Sequence, residues 1–239
     1  MEKIRIGTSG YSYPYWKNRF YPSGLAASRQ LEYYASRFNA LELNYTFYRF
    51  PSVKALQKAS ASVPDDFKFS VKAHKIITHT LRMKDAKQKV SEFIDIVLEG
   101  LGEKLSCILF QLPPSFHYSE QAIADLLESV AHNSRTVVEF RHASWWTPIV
   151  YDTLKAAGIS FCSVSYPGLP EDNIMTTDVF YKRMHGVPEL FKSSYDTGIL
   201  QQLAADLPEE GTSFVFFNNT MYEAGYSNAI EFKGLIGQL

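Results

Sequence analysis

The chain has 239 residues, 46% of them hydrophobic and 15% aromatic, enough apolar material for one sizeable core, and α/β barrels of roughly 250 residues are common single units. No stretch approaches the ~18 uninterrupted apolar residues of a membrane span. A formal charge of −1 gives no general pull toward nucleic acid or an anionic membrane surface, so any charge that matters is local.

In chain order, strand-like runs begin near Ile4, Ala40, Phe67, Cys107, Thr136, Ile159, Val179 and Phe214. Helical patterns separate most of them, at Gln30–Phe38, Val53–Ala61, Ala86–Leu101, Glu120–Ala131, Ile149–Ala157, Ile199–Leu207 and Asn228–Leu239. Ser119 stands as an N-cap before the apolar pattern Ile123, Leu126, Leu127 and Val130. The stretch from Tyr166 to Asn173 is short and holds Pro167, Gly168 and Pro170, so the crossover between strands 6 and 7 is expected to be a loop. Alternating strands and helices require a parallel sheet, and about eight repeats can close it. The expected fold is therefore a TIM-type (β/α)8 barrel forming a single domain over residues 1–239. An open doubly wound sheet is the alternative, but its glycine-rich phosphate fingerprint is absent.

The two cysteines, Cys107 and Cys162, lie in apolar runs, which is core usage and not a disulfide framework. With strand-like residues starting at Ile4, no leader is expected. A cytoplasmic location is expected.

Side chains two apart on a strand share a face. By that rule Glu42, Asn44 and Thr46 group together, as do Lys68, Ser70 and Lys72, then Glu139 and Arg141, then Tyr181, Arg183 and His185. Helices cover the outside of a parallel barrel, so polar faces should point inward and, near the strand ends, into its mouth. Gln111 ends the fourth strand and Asn218-Asn219 the eighth, while Thr8-Ser9-Gly10 after the first could offer hydroxyls and N–H groups to an anion. Any one of the charged pairs could be structural glue. Their convergence from several strands points instead to a site, because barrel interiors favour bulky apolar side chains.

Aromatic residues follow several strand ends: Tyr11, Tyr13, Trp16, Tyr45, Phe47, Tyr48, Trp145 and Trp146. Most are expected to pack between loops and helices. His74, His79 and His142 show no recognised ligand spacing, so neither a metal nor a cofactor is expected.

The successive motifs Gly7-Thr8-Ser9-Gly10-Tyr11-Ser12-Tyr13, Glu42-Leu43-Asn44-Tyr45-Thr46-Phe47-Tyr48, Phe110-Gln111-Leu112-Pro113-Pro114, Glu139-Phe140-Arg141-His142 with Trp145, Arg183-Met184-His185-Gly186 and Phe217-Asn218-Asn219 resemble those of the YecE-like proteins, a bacterial domain family of unknown function. The resemblance implies a TIM-type barrel, and its patterned polar positions map onto Glu42, Asn44, Lys72, Gln111, Glu139, Arg141, Arg183, His185 and Asn218. One departure is visible: the family often carries an aspartate after the sixth strand, where this chain has Ser165.

These residues define the expected chemistry. Lys72, Arg141 and Arg183 would hold a small anionic, sugar-like ligand, with Asn44, Gln111 and Asn218 bonding its hydroxyls. Glu42 and Glu139 are the candidate acid and base, and His185 a proton shuttle. Lys72 as a Schiff-base lysine is a variant of the same reading. A non-catalytic metabolite-binding or sensor module and a metal-dependent phosphoesterase or nuclease are the two alternatives; near-neutral charge and the lack of a clear ligand cluster count against the latter.

Overall fold

Alternation along eight strands sorts side chains into two sets, one packing inside the sheet and one against surrounding helices. The computed structural model describes residues 3–130 and 135–237. Its strands are β1 Ile4–Thr8, β2 Ala40–Leu43, β3 Lys68–Lys72, β4 Leu105–Gln111, β5 Thr136–Glu139, β6 Ser160–Ser165, β7 Val179–Met184 and β8 Thr212–Phe217. They form one parallel sheet in the order β1-β8-β7-β6-β5-β4-β3-β2, which brings β2 round to β1 in a nearly closed barrel. The helices are α1 Gln30–Ala35, α2 Val53–Ala61, α3 Lys87–Leu101, α4 Glu120–Val130, α5 Pro148–Ala156, α6 Thr197–Ala205 and α7 Ala224–Ile236. The crossover between β6 and β7 is a loop, as its proline and glycine content predicts. Ser119 caps α4 by accepting from Ala122 N at 3.1 Å. The last helix starts four residues before the expected Asn228. Ala131 and the final two residues of the last predicted helix lie outside the described residues.

The junction of β1 with β2 is built differently from the other seven. A single parallel bridge joins Ser9 to Glu42, with Gly10 N donating to Glu42 O at 2.8 Å. Below it, side chains replace the ladder. Asn39 accepts from Ile6 N at 2.8 Å and donates to Ile4 O at 2.9 Å, while the Tyr34 hydroxyl accepts from Thr8 N at 2.7 Å. These bonds satisfy backbone groups that a buried seam would otherwise leave unpaired. A Cβ on Gly7 would lie 2.0 Å from Ala40 O, so closure at this point requires glycine.

Two apolar clusters follow from the strand faces. The inner one fills the barrel with Ala40, Cys107, Leu109, Val137, Cys162, Val164, Tyr181, Phe214 and Phe216. The outer one joins the opposite strand faces, including Leu41, Phe69, Ile108, Val138, Phe161 and Val215, to helix residues such as Leu56, Phe93, Leu126, Leu154, Leu200 and Phe232. Burying each such large side chain contributes about 1.5–3 kcal/mol. Both cysteines are free and buried, where desolvation raises the pKa of each thiol. Among the described residues, no helix is long and apolar enough to cross a membrane.

Candidate functional site at the barrel mouth

Above the inner apolar cluster the strands turn polar, and their side chains form a buried ionic floor. Arg183 of β7 lies at its centre with no exposed surface. Its Nη2 donates to Glu42 Oε1 at 2.7 Å, its Nε to Glu42 Oε2 at 3.0 Å and its Nη1 to Glu139 Oε2 at 2.5 Å. The fork of guanidinium donors thus spans carboxylates from β2 and β5 on opposite sides of the barrel. Tyr181 supports this layer from below, donating to Glu42 Oε2 at 2.7 Å and lying 2.7 Å from the Ser70 hydroxyl. Arg141 completes it through Nε, 2.6 Å from Glu139 Oε1.

This geometry fixes the protonation of the floor. Burial alone would raise the pKa of Glu139, but Arg183, Arg141 and His185 outweigh it and hold the carboxyl well below its usual range. Burial pushes His185 down to about 3, outweighing the attraction of Glu139, while Arg183 and Arg141 further oppose its charging. The neutral imidazole accepts from Asn218 Nδ2 at Nδ1, 2.8 Å away. Its Nε2 therefore carries the proton and faces Glu139 Oε1 at 3.3 Å.

Over the floor opens a cavity of about 760 Å3, within the size range of small-molecule sites. Its polar lining includes Asn44, Lys72, Gln111, Arg141, Arg183 and Asn218. Tyr11, Tyr13, Tyr45, Phe47, Tyr48 and Phe191 supply an aromatic rim. Arg141 spends Nε on Glu139 and lies over the Tyr166 ring, its carbon 5.0 Å from the centroid. The Lys72 ammonium nitrogen lies 4.3 Å from the centroid of Phe47, and among the described residues no carboxylate is within ion-pair distance of it. Burial, with Arg183 and Arg141 nearby, lowers the Lys72 pKa to about 7. The Asn44 Oδ1 is buried and, among the described residues, has no hydrogen-bond partner.

Strand parity alone predicts that Glu42, Lys72, Glu139, Arg183 and His185 all open onto the cavity. Lys72 lines it and the buried Arg183 borders it from below, whereas Glu42, Glu139 and His185, equally buried, are not part of its lining. Thr46 leaves the expected face because the chain enters a 3-10 turn after β2, and its hydroxyl donates to Lys72 O at 2.6 Å. Lys68 is at the far end of β3, bonded to Glu103 O. The Thr8-Ser9-Gly10 turn does not offer a free anion nest: Ser9 N donates to Phe217 O and Gly10 N to Glu42 O. Ser165, at the departure from the family pattern, accepts from the Tyr195 hydroxyl at 2.9 Å and is not part of the cavity lining.

Cavity residues outside the strands have no signal in strand alternation. His79 comes from a π-helical turn, Ile76–Thr80, and Phe191 from the loop after β7, held at φ +67°. The other aromatics divide between roles. Trp16 and Trp145 are fully buried, and Trp145 stacks on Phe140 at 4.1 Å while donating to Phe116 O, which braces the segment carrying Arg141. Among the described residues, no group of three or more His, Cys, Asp or Glu side chains gathers as a metal site.

Fold and site together define a (β/α)8 barrel whose mouth is a cationic, aromatic-rimmed cavity over a sealed ionic floor. The model of the family described as "Protein of unknown function DUF72" matches residues 5–239, and the chain belongs to that family. It is similar to a DUF72 family protein of Thermotoga maritima, with 33% identity, a TM-score of 0.88 and coverage of 98% of this chain and 99% of that one. A DUF72 family protein of Enterococcus faecalis shares the fold at 20% identity and a TM-score of 0.82, covering 98% and 95% of the two chains. Among curated bacterial relatives, UPF0759 protein YunF of Bacillus subtilis is 28% identical over 72% of this chain, and UPF0759 protein YecE of Escherichia coli 28% over 60%. The matched regions span 64% of YunF and 50% of YecE.

Proposed function

We propose that the cavity binds a small anionic, hydroxyl-bearing metabolite and carries out a reaction on it. The observation that supports this reading most is the unmatched charge of the wall: among the described residues, Lys72 without a carboxylate within ion-pair distance and Arg141 engaged only through Nε share one cavity of metabolite size. A desolvated charge without a counterion costs stability unless something supplies the missing partner. Glu42, Glu139, Arg141 and Arg183 balance in charge, so a protonated Lys72 leaves the site positive and suited to an anion. Gln111 and Asn218 would orient hydroxyls, and the tyrosine rim would stack on a ring or sugar face.

The ion pairing supports reading Glu42, Glu139 and His185 as groups that hold Arg183 and Arg141 in place, and it favours the wall as the source of reactive groups. That saturation also favours a second reading, a binding or sensor module without turnover. A metal-dependent phosphoesterase or nuclease has no such observation behind it.

Sulfate and phosphate titrations followed by thermal unfolding test the anion site. A saturable rise in Tm is expected for the wild-type chain, and a much smaller one for Lys72→Met/Arg141→Met. Equal rises in both would reduce the effect to general salt stabilisation and refute the site. A broad panel of carbonyl, phosphate and carboxylate metabolites then separates enzyme from module: binding without turnover across the panel favours the module.

A further inference from the structure

We propose that Lys72 is a nucleophilic amine that forms an imine with the carbonyl carbon of a small anionic aldehyde or ketone seated by Arg141. This rests on the anionic reading of the cavity and names the reactive group and substrate class within it.

The placement of Lys72 carries the inference. It ends β3 on the inward face, and its nitrogen lies in the cavity over Phe47. A lysine retained for structural charge would be expected beside a carboxylate. Both nearby carboxylates are already engaged: Glu42 by Arg183 and Tyr181, Glu139 by Arg183 and Arg141. The groups that remain around Lys72 oppose its protonation, since burial, Arg183 and Arg141 outweigh the attraction of Glu139 and Glu42. The pKa near 7 leaves a large share of the amine unprotonated at neutral pH, whereas a surface lysine is free at a level of about 0.1% or less. Desolvation beside other cations is how lysine is made nucleophilic in enzymes that work through imines. A cation–π contact with Phe47 explains where the nitrogen rests but not why two guanidiniums share its cavity.

The step balances without an oxidant or a further reactant. The nitrogen lone pair forms a bond to the carbonyl carbon, and a proton passes from nitrogen to oxygen through water to give a carbinolamine. The C–O bond then breaks, and the two original amine hydrogens leave with that oxygen as water. The resulting C=N group draws electrons from neighbouring C–H and C–C bonds, which opens proton abstraction or carbon–carbon cleavage at the adjacent carbon. His79, also on the cavity wall and lowered to about 4 chiefly by burial, is a neutral imidazole available to accept a proton there.

Reductive trapping at pH 7 tests this on the whole protein. Cyanoborohydride is combined in parallel with limiting formaldehyde, an uncharged probe, and limiting glyoxylate, an aldehyde carrying a carboxylate, and each lysine is quantified by peptide mass spectrometry. Lys72 is expected to be labelled at least tenfold faster than the median surface lysine by both probes. Saturating sulfate, and separately Arg141→Met, should lower the glyoxylate-to-formaldehyde labelling ratio at Lys72 several-fold; the sulfate arm needs no variant to fold. Labelling of Lys72 no faster than that of surface lysines overturns the imine, and a saturable sulfate shift in the same preparation would then leave the anion site standing. Fast labelling whose ratio ignores both sulfate and Arg141 overturns the anionic substrate class.

Discussion

The floor and the wall of the cavity are made of the same residue types, yet they differ in how completely those residues are satisfied. In the floor, Arg183 bonds two carboxylates, Tyr181 and Arg141 fill remaining acceptor positions, and His185 is held between Asn218 and Glu139. In the cavity wall, among the described residues, Lys72 has no carboxylate within ion-pair distance and Arg141 engages one only through Nε. Charge inside a barrel is therefore not by itself a mark of chemistry. A saturated network reads as architecture, and an unsaturated group facing a cavity reads as a place kept for something else.

The largest expected effect breaks the floor. Arg183→Met leaves two buried carboxylates without their shared cation and should cost about 3–5 kcal/mol in denaturant unfolding, or prevent folding. Glu139→Gln keeps the shape and one acceptor, so its loss should sit at the lower end, about 3 kcal/mol. A loss below about 1 kcal/mol for either variant would mean that water reaches the floor and that the contrast with the wall is false.

Acid should attack the same layer. The His185 pKa is depressed to about 3 in the folded chain, against about 6.5 when unfolded, so unfolding takes up a proton and stability falls as pH drops from about 6.5 toward 3. The depressed Glu139 carboxyl adds to the fall below about pH 4.3, its ordinary range. His185→Asn should flatten the upper part of this profile, as followed by denaturant midpoints between pH 7 and pH 4.

How much of this was legible beforehand depends on which coordinate is asked for. Alternation by two identified Lys72, Glu139, Arg183 and His185 as inward-facing, and the βα order predicted the barrel and its one helix-free crossover. Alternation carries no information about which inward-facing groups pair with one another, and pairing is what separates the sealed Glu139 from the cavity-facing Lys72. Nor could it reach residues outside strands. Thr46 was moved by a 3-10 turn, Phe191 arrives from a loop and His79 from a π-helical turn, none of which has a period of two. The β1–β2 seam was equally hidden, because Asn39 and Tyr34 close it with side chains where pattern analysis expects a backbone ladder.

A smaller effect, of opposite sign, is expected on the wall. Lys72 has a folded pKa near 7, below its unfolded value of about 10.4, so folding disfavours its charged form. That penalty is full below pH 7 and fades as pH rises through the interval to about 10.4. Lys72→Met should therefore be as stable as the wild type or more stable at pH 6 to 7, with the difference shrinking toward pH 10.

The division between floor and wall is tested most directly by one sulfate titration, read by thermal unfolding at pH 6.5, on the wild-type chain, Glu139→Gln and Lys72→Met. Glu139→Gln should unfold at a lower temperature without sulfate yet keep a saturable sulfate-dependent rise. Lys72→Met should unfold at the wild-type temperature or above and lose most of that rise. The reverse pattern, with binding lost in Glu139→Gln at unchanged stability and retained in Lys72→Met, would contradict the account by making the buried carboxylate the ligand-responsive group and the lysine a bystander.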